Sequence, residues 1–450
     1  MKMIAIIIIV IMMCLPLWCG EVVADSLKNP KFQFAAWEVV GLNLGVWSVD
    51  HYIAQEEWAN ISIDSVKRNL KKGFVFDESE FLMNQFLHPY HGNLYFNAAR
   101  SSGFNFWESA PFAFCGSFMW EMFMEIEAPS NNDLITTTMG GIMLGEITWR
   151  LSSLFLDDSS SGAQRTWREI GAAVINPVRG INRLLHNKTR RHTKFSGQKK
   201  QPVLAEISFG GNTVGNGLDL QNGKETPLLK MQFVYGLPFI EEERQPFDYF
   251  NLHLGLNLKG SNTITNFYGD ALLYGKNFNF QGNLENLEQD NLIGAFQHFD
   301  YLANDVYEIA ASGLGIGVIS RFPAYEGMAL FTSCHISGVV LGGSNSAYAI
   351  NTGRDYNLGP GGSSKFEGWL INDKYGEMHV SYLRYWIYTM SGADGHEIIE
   401  ITNARIETPI TKKFKIGLEY LYYFRKGVYV EFEDINAENN ELRSYISYRF

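Results

Sequence analysis

The sequence predicts an α+β protein, with an N-terminal apolar helical domain followed by a C-terminal antiparallel transmembrane β-barrel of roughly 10–12 strands. Three observations predict it: an apolar leader, long apolar stretches with helix start signals in the first half, and period-two alternation in the second. Aromatic residues make up 14% of the 450 residues and charged residues only 19%. That composition is expected of membrane barrels, but also of large soluble β proteins. The prediction therefore rests on the three sequence patterns and not on composition.

The first residues have the pattern of a signal peptide. Residues 4–17 are almost uninterruptedly apolar, and small residues at 22–24 precede Asp25. An apolar run of about 14 residues is short for a membrane span, which needs roughly 20. We therefore predict a signal peptide over 1–24 and export into a Gram-negative envelope. A lipoprotein anchor at Cys19 is the competing interpretation, disfavoured by the bulky Trp18 before it.

Residues 25–185 are predicted to form the helical domain. Ser109 is a plausible N-cap with Pro111 in the first turn, where the missing N–H is harmless. A further helix is expected to start at 131–133 and run through Leu156, and the last helical stretch is expected to break at Pro177. This domain is apolar enough for a polytopic inner-membrane protein. We favour a buried bundle, because charged side chains that interrupt the apolar runs would be costly against lipid.

Residues 186–202 form a basic linker, and residues 203–450 are predicted to form the outer-membrane β-barrel. Every second residue is apolar in 250–259 and again in 413–424, which is the period of a strand with two different faces. The last residues alternate in the same way and end on Phe450. A terminal aromatic strand is typical of bacterial outer-membrane proteins, whereas a soluble β-sandwich has no reason to end so.

The charge and the barrel together define the expected surroundings. A net charge of -11 argues against wholesale binding to nucleic acid. We expect the protein in the cell outer membrane, with the helical part periplasmic or within the barrel. Its expected partners are outer-membrane lipids and, during biogenesis, the barrel-insertion machinery. The sequence names no small-molecule ligand, cofactor or metal.

Several motifs resemble an uncharacterised bacterial outer-membrane family, domain of unknown function 3943. The resemblance implies location and architecture, namely a helical region of this kind followed by a barrel-like half, and it implies no chemistry. The motifs of the helical block are HPYHG (88–92), NAAR (97–100), FWESAP (106–111), MWE (119–121), WRE (167–169) and NPVRGINR (176–183), and weaker likeness lies at FQHFDY (296–301) and GRDYN (353–357).

His88 and His91 are the leading candidates for catalysis, because imidazoles bind metals or act as bases. Pro89 between them argues against a helical pair, so we expect a turn or loop entering a helix. Glu108 or Glu121 is the expected carboxylate partner. The sequence has no HExxH zinc motif and no serine-nucleophile elbow. The alternative is that these histidines are buried and only hold helices together.

Three further residues are candidates for ligand binding. Arg100 is expected to pair with Glu108 or Asp133 or to contact a ligand, and Arg354 and Asp355 lie in a turn-rich segment, 341–364, predicted as a long loop. Glu146 and Arg150 are spaced for an intrahelical ion pair.

Two functional hypotheses follow. The first is a non-enzymatic barrel protein with a helical periplasmic or plug domain, acting in envelope transport, lipid handling or assembly. The second is a lipid-modifying enzyme, a hydrolase or an acyl-transfer protein, in which the His/Glu candidates converge in one cleft. A small-solute channel is a third possibility that requires an open lumen. Convergence of the His/Glu side chains on one point would favour the enzyme, and separate hydrogen bonds to helix backbones would favour a scaffold.

Overall fold

The computed structural model describes residues 31–194 and 201–450, apart from 217–218, 240–243, 258–263, 279–288, 305, 324–326, 347, 349–353 and 373. The predicted signal peptide and part of the predicted basic linker lie outside these residues. The chain divides into two compact units, Met1–Lys200 and Gln201–Phe450. The predicted α+β architecture is confirmed, because helices form the first unit and a closed barrel forms the second.

Seven α-helices make up the described part of the first unit. In the described residues, none of the helices is both long enough and apolar enough to cross a membrane. The helices are α1 Phe32–Val49, α2 Ile63–Lys72, α3 His88–Ser101, α4 Phe106–Phe123, α5 Asn131–Phe155, α6 Gly162–Ile175 and α7 Pro177–Leu185.

Side-chain caps determine where the helices start, and one predicted cap is wrong. Helix α5 begins at Asn131, where the sequence predicts a start, and the predicted break at Pro177 separates α6 from α7. The predicted N-cap at Ser109 is wrong, because the N-cap of α4 is Asn105, four residues earlier. The Asn105 side chain accepts a hydrogen bond from the Glu108 N–H, and the Glu108 carboxylate accepts one from the Asn105 N–H. This reciprocal capping box outweighs the proline signal and leaves Pro111 inside the helix.

Helices α3 and α5 cross at a point where both backbones are glycine. A Cβ atom on Gly141 would lie 2.6 Å from backbone atoms of Gly92, and one on Gly145 would lie 2.6 Å from the Phe96 ring. The small residues therefore permit a close approach, as their i, i+4 spacing suggests. Next to the crossing, Asn97 donates to the Gly145 carbonyl at 3.1 Å and accepts from Asn176 at 2.7 Å. These bonds tie α3, α5 and the cap of α7 together.

The second unit is a closed barrel of twelve antiparallel strands, within the predicted range of strand number. Each strand pairs with its neighbours in sequence, and β1 pairs with β12 to complete the cylinder. The strands are β1 Val203–Asn216, β2 Asp219–Tyr235, β3 Phe250–Asn257, β4 Ile264–Phe278, β5 Asp290–Ala303, β6 Glu308–Pro323, β7 Met328–Asn345, β8 Tyr356–Asn372, β9 Gly376–Tyr388, β10 Gly395–Pro409, β11 Phe414–Tyr429 and β12 Ile435–Arg449.

The two faces of a barrel strand are reversed relative to a soluble sheet. Along β11, exposed and buried residues alternate, and the apolar row predicted from 413–424 is the outer one. Leu418 is 52% exposed on the outside, whereas Glu419 beside it is 4% exposed inside. Apolar side chains outside and polar side chains inside are the arrangement of a barrel surrounded by hydrocarbon.

The prediction of a long loop over 341–364 is wrong. Strand β7 continues to Asn345 and β8 starts at Tyr356, so the glycines at both ends of that segment lie in strands. They mark close packing and not turns: a Cβ on Gly359 would lie 1.8 Å from the Tyr388 carbonyl oxygen, and one on Gly361 1.9 Å from that of Trp386. Glycine in a strand often marks such a close backbone approach.

The glycine crossing gives a stability prediction. Replacing Gly141 with Ala is expected to destabilise the helical unit by about 1–3 kcal/mol, because the added methyl group overpacks the contact with Gly92. The measurement is thermal unfolding of the full chain in detergent, followed by circular dichroism at the helical band. Gly41→Ala is the matched control, since a Cβ at Gly41 has no atom within 4 Å. Equal melting of the two variants would contradict the predicted contact.

Candidate functional site

The ends of three helices meet at a buried cluster of acidic and imidazole groups. His88 is the first residue of α3, Glu121 lies in the last turn of α4, and Asp133 lies in the first turn of α5. One potential ligand atom from each lies within 4.8 Å of the other two. The distance from His88 Nε2 to Asp133 Oδ1 is 3.8 Å. The structure therefore brings together two predicted candidates, His88 and Glu121, with a third residue that was not predicted.

The cap of α5 holds the two carboxylates in place. Ser130 is the N-cap residue, and its hydroxyl accepts a hydrogen bond from the Asp133 N–H at 3.1 Å. Its own N–H donates to Glu121 Oε2 at 2.8 Å. A single capping residue thus holds the Glu121 carboxylate of α4 next to the first turn of α5.

A neighbouring acid supports the cluster from the segment before α3. Asp77 Oδ1 accepts hydrogen bonds from Asn132 at 2.5 Å and from Asn84 at 2.8 Å. The same Asn132 amide donates to Asp133 Oδ1 at 3.0 Å. Asn132 therefore links the two acids and orients Asp133 towards His88.

Burial dominates the protonation of these groups. Burial, and then the charge of Glu125, raises the pKa of Glu121 well above its usual range. Burial, and then the charge of Asp77, does the same to the pKa of Asp133. Burial raises the pKa of Glu125 to about 8. For Asp77, burial alone would raise the pKa, but hydrogen bonds from Ser79, Asn132 and Asn84 bring it below its usual value. The charges acting on Glu121 and Asp133 are thus largely other carboxylates.

The imidazole of His88 is neutral at physiological pH. Burial lowers the pKa of His88 to about 4, against the opposing influence of Asp77. A neutral imidazole has a free nitrogen lone pair, which is the form that binds a metal or accepts a proton. The arrangement also corrects the predicted loop: Pro89 occupies the first turn of α3, where proline is tolerated, so His88 and His91 lie on one helix.

His91 belongs to a separate hydrogen-bonded group. Its Nε2 lies 2.8 Å from the Tyr95 hydroxyl, which in turn lies 2.5 Å from Asn43 Oδ1. Because that hydroxyl donates its proton to Asn43, His91 Nε2 must be the donor to Tyr95. Burial lowers the pKa of His91 to about 3, and its ring packs against Trp120. This histidine links α1, α3 and α4 outside the cluster.

The remaining helical candidates also have structural partners. Glu108 forms the capping box of α4, away from the convergence predicted for it. Arg100 Nε and Nη2 donate to the two carboxylate oxygens of Glu146 at 2.9 and 3.1 Å, so the predicted pairing with Glu108 or Asp133 is wrong. The predicted pair of Glu146 with Arg150 is confirmed at 2.7 Å. Glu146 therefore forms ion pairs with two arginines, Arg100 and Arg150, inside the bundle.

Arg354 and Asp355 differ in their burial and in their hydrogen bonds. Arg354 is buried, and its Nε donates to the Tyr356 carbonyl oxygen at 3.0 Å while Nη2 bonds the Ser391 hydroxyl. Asp355 is exposed, and its carbonyl oxygen accepts from the Ser346 N–H at 2.7 Å. Their predicted role in ligand binding stays a prediction.

Asp133 and Asp77 are the residues that sequence reasoning missed as members of the cluster. The sequence predicted Asp133 only as part of a helix start and as a possible partner of Arg100. Asp77 precedes α3 in a segment without periodic pattern. Only the packing of α3, α4 and α5 shows that these acids face His88 and Glu121.

Charged side chains cross the interior of the barrel. Lys365 on β8 donates to Asp270 on β4 and to Asp300 on β5, both at 2.6 Å. Tyr385 on β9 donates to the same Asp300 at 3.1 Å. Lys230 on β2 pairs with Glu419 on β11. These strands are not neighbours in the barrel, so the contacts span the lumen.

An apolar cluster occupies a second part of the interior. Its members come from strands on opposite walls, β5 and β11 among them. The described interior retains a cavity of about 100 Å³ beside the ion pairs, lined by His253 and His379 among others. The predicted inward direction of His253 is confirmed. The members of the apolar cluster are Leu302, Tyr307, Ile309, Ala311, Val339, Tyr385, Ile387, Ile399, Ile401, Leu421 and Tyr423.

Among solved structures, the barrel is similar to outer-membrane channels. The outer membrane channel DcaP of Acinetobacter baumannii is 12% identical, with 55% of this chain and 96% of that one covered and a TM-score of 0.26. An outer membrane channel from Pseudomonas putida F1 is 8% identical over 56% and 97%, with a TM-score of 0.28. OmpT of Vibrio cholerae is 8% identical over 55% and 97%, with a TM-score of 0.24. These scores are too low to bear on the function of this chain.

No curated protein matches the sequence. A family described as "Domain of unknown function (DUF3943)" matches residues 73–178. The match contains the segment of Asp77 and the whole of α3, α4 and α5, and therefore every residue of the buried cluster. The weaker likeness at 296–301 and 353–357 lies outside it. The match thus lies within the helical unit, and the twelve-stranded β-barrel follows it in the sequence.

Proposed function

We propose that this chain is an outer-membrane protein whose barrel is a closed anchor, and that it acts in lipid handling or assembly of the envelope. The observation that carries the proposal is the bridge from Lys365 to Asp270 and Asp300 across the lumen. Solute transport through the barrel is disfavoured by the same observation. The expected partners are outer-membrane lipids and the machinery that inserts barrels.

The outer face supports the membrane location. Only a closed barrel lets strands cross hydrocarbon with every peptide group paired, and such barrels are found in bacterial outer membranes. Ile416, Leu418 and Ile446 are each more than half exposed on the outside, where contact with lipid would bury them.

The interior supports a closed anchor. Lys365, Lys230 and Glu419, which form these bridges, line the cavity of about 100 Å³ in the described interior. The ion pairs that border it are buried, and removing one partner of such a pair is strongly destabilising. Opening the described lumen would therefore require several of these contacts to break together.

The first test is electrical. Purified full-length protein in planar lipid bilayers is expected to show no steady open conductance, because the lumen is bridged. The double variant Lys365→Ala/Tyr385→Ala removes two bridges to Asp300 and is expected to open at least about tenfold more often. Arg384→Ala is the matched control, since Arg384 pairs with Glu400 on the outer face. A steady conductance of the wild-type protein would overturn the closed anchor.

The second test concerns the lipid-facing surface. Leu418→Arg is expected to lower the stability of the inserted barrel by about 2–4 kcal/mol, since a cation would face hydrocarbon. The measurement is the folded fraction in lipid vesicles along a urea titration, detected by the faster electrophoretic migration of unheated folded barrel. Leu70→Arg is the control, because Leu70 is 48% exposed on helix α2. If Leu418→Arg inserts as well as the control, the outer face does not contact lipid.

A further inference from the structure

The segment that matches the DUF3943 model contains a group of potential metal ligands whose hydrogen bonding is incomplete. His88, Glu121 and Asp133 come from three different helices and approach one another within 4.8 Å. Glu121 and Asp133 are 1% and 3% exposed. Ordinary helix packing would place apolar side chains at such a junction, since buried acids are costly without compensation.

One oxygen in this group has no partner. Glu121 Oε2 accepts from the Ser130 N–H, but Glu121 Oε1 is fully buried and makes no hydrogen bond. A buried acceptor without a donor is rare in folded proteins and calls for an explanation such as a bound ion. This oxygen belongs to the carboxylate that faces His88 and Asp133.

The charges around the group favour a cation. Besides Glu121 and Asp133, the carboxylate of Asp77 lies at the same site, because one Asn132 amide donates to both Asp77 and Asp133. Several acids buried together must either take up protons or be neutralised by a positive charge, and a bound metal ion is the strongest local charge available to a protein.

The supporting hydrogen bonds are those of a positioned ligand set. Asn132 donates to Asp133 Oδ1 and to Asp77 Oδ1, and Ser130 fixes both Glu121 and the backbone of Asp133. Metal-binding carboxylates are characteristically held by such outer hydrogen bonds. Here the bonds restrict the two carboxylates to orientations that face the imidazole.

We propose that His88, Glu121 and Asp133 bind a divalent transition-metal cation of the Zn²⁺ or Mn²⁺ class. One imidazole nitrogen and two carboxylate oxygens suit these ions better than Mg²⁺ or Ca²⁺, which prefer oxygen ligands alone. Bonds of about 2.1 Å place ligand atoms about 3.0–3.5 Å apart. The 3.8 Å between His88 Nε2 and Asp133 Oδ1, and distances of up to 4.8 Å within the group, would therefore shorten when the ion binds. Three protein ligands leave a coordination position for water or substrate.

The test uses the full chain in detergent, stripped of metal by a chelator and titrated with Zn²⁺ or with Mn²⁺. Calorimetry and elemental analysis are expected to give one equivalent bound by the wild-type protein. Glu121→Gln and Asp133→Asn are expected to weaken binding about tenfold or more, because each removes a charged ligand. Glu127→Gln is the matched control: Glu127 is exposed in the segment that follows α4 and is outside the ligand set.

A second readout separates a ligand from a scaffold residue. Metal is expected to raise the melting temperature of the wild-type helical signal, because it binds only the folded state. Without metal, Glu121→Gln is expected to melt no lower than wild type, since it removes an uncompensated buried acid; with metal, it is expected to melt lower. His88→Gln provides a third ligand variant if an acid variant fails to fold. Absence of stoichiometric binding to the wild-type protein, or equal loss in Glu127→Gln, would overturn the proposal.

Discussion

Closure of the backbone hydrogen-bond ladder is the constraint on which the barrel depends. Hydrocarbon offers no partner to a peptide N–H or C=O group, so each strand must have a neighbour on both sides. Strand β1 meets this condition by pairing with β12 from Glu206 opposite Arg449 to Asn216 opposite Asn439. Once the cylinder is closed, one face of every strand points outward and the other inward, and the sequence must supply two different surfaces.

Both units then have to neutralise charges that folding buries. In the barrel, acids and bases occur in matched sets: Lys365 lies between Asp270 and Asp300, and Arg425 pairs with Glu397. In the helical unit, Glu146 is matched in the same way by Arg100 and Arg150. The cluster around Glu121 and Asp133 differs, because carboxylates there act on one another. This contrast distinguishes a candidate binding site from polar packing that is already complete.

Local rules predicted much of this architecture. The alternation in 413–424 identified the apolar face of β11, Pro177 marked a break between two helices, and the spacing of Gly141 and Gly145 marked a close helix crossing. Each is a property of a short window in which the periodic pattern or backbone geometry is decisive.

The errors arose where distant residues decide the outcome. The glycines of 341–364 resemble turn signals, but opposing backbone atoms from β9 require them inside strands. The sequence offers several acids as partners of Arg100, and only the crossing of α3 and α5 shows that Glu146 is the partner. The proximity of Asp133 to His88 was missed for the same reason. The two residues lie on different helices, and no local pattern relates them. The Lys365 contacts across the barrel depend likewise on the finished cylinder.

The seam between the first and last strands also governs the order of events in folding. Ser208 and Ser447 hydrogen-bond across it although they are 239 residues apart in the chain. The other strand pairs can form as successive hairpins, whereas this one must bring together segments at the greatest separation in the barrel. Until β12 arrives, the edge of β1 is an unpaired template for association with other chains. The interval before ring closure is therefore the period in which this protein needs protection from aggregation. The arrival of the last strand, β12, ends that interval.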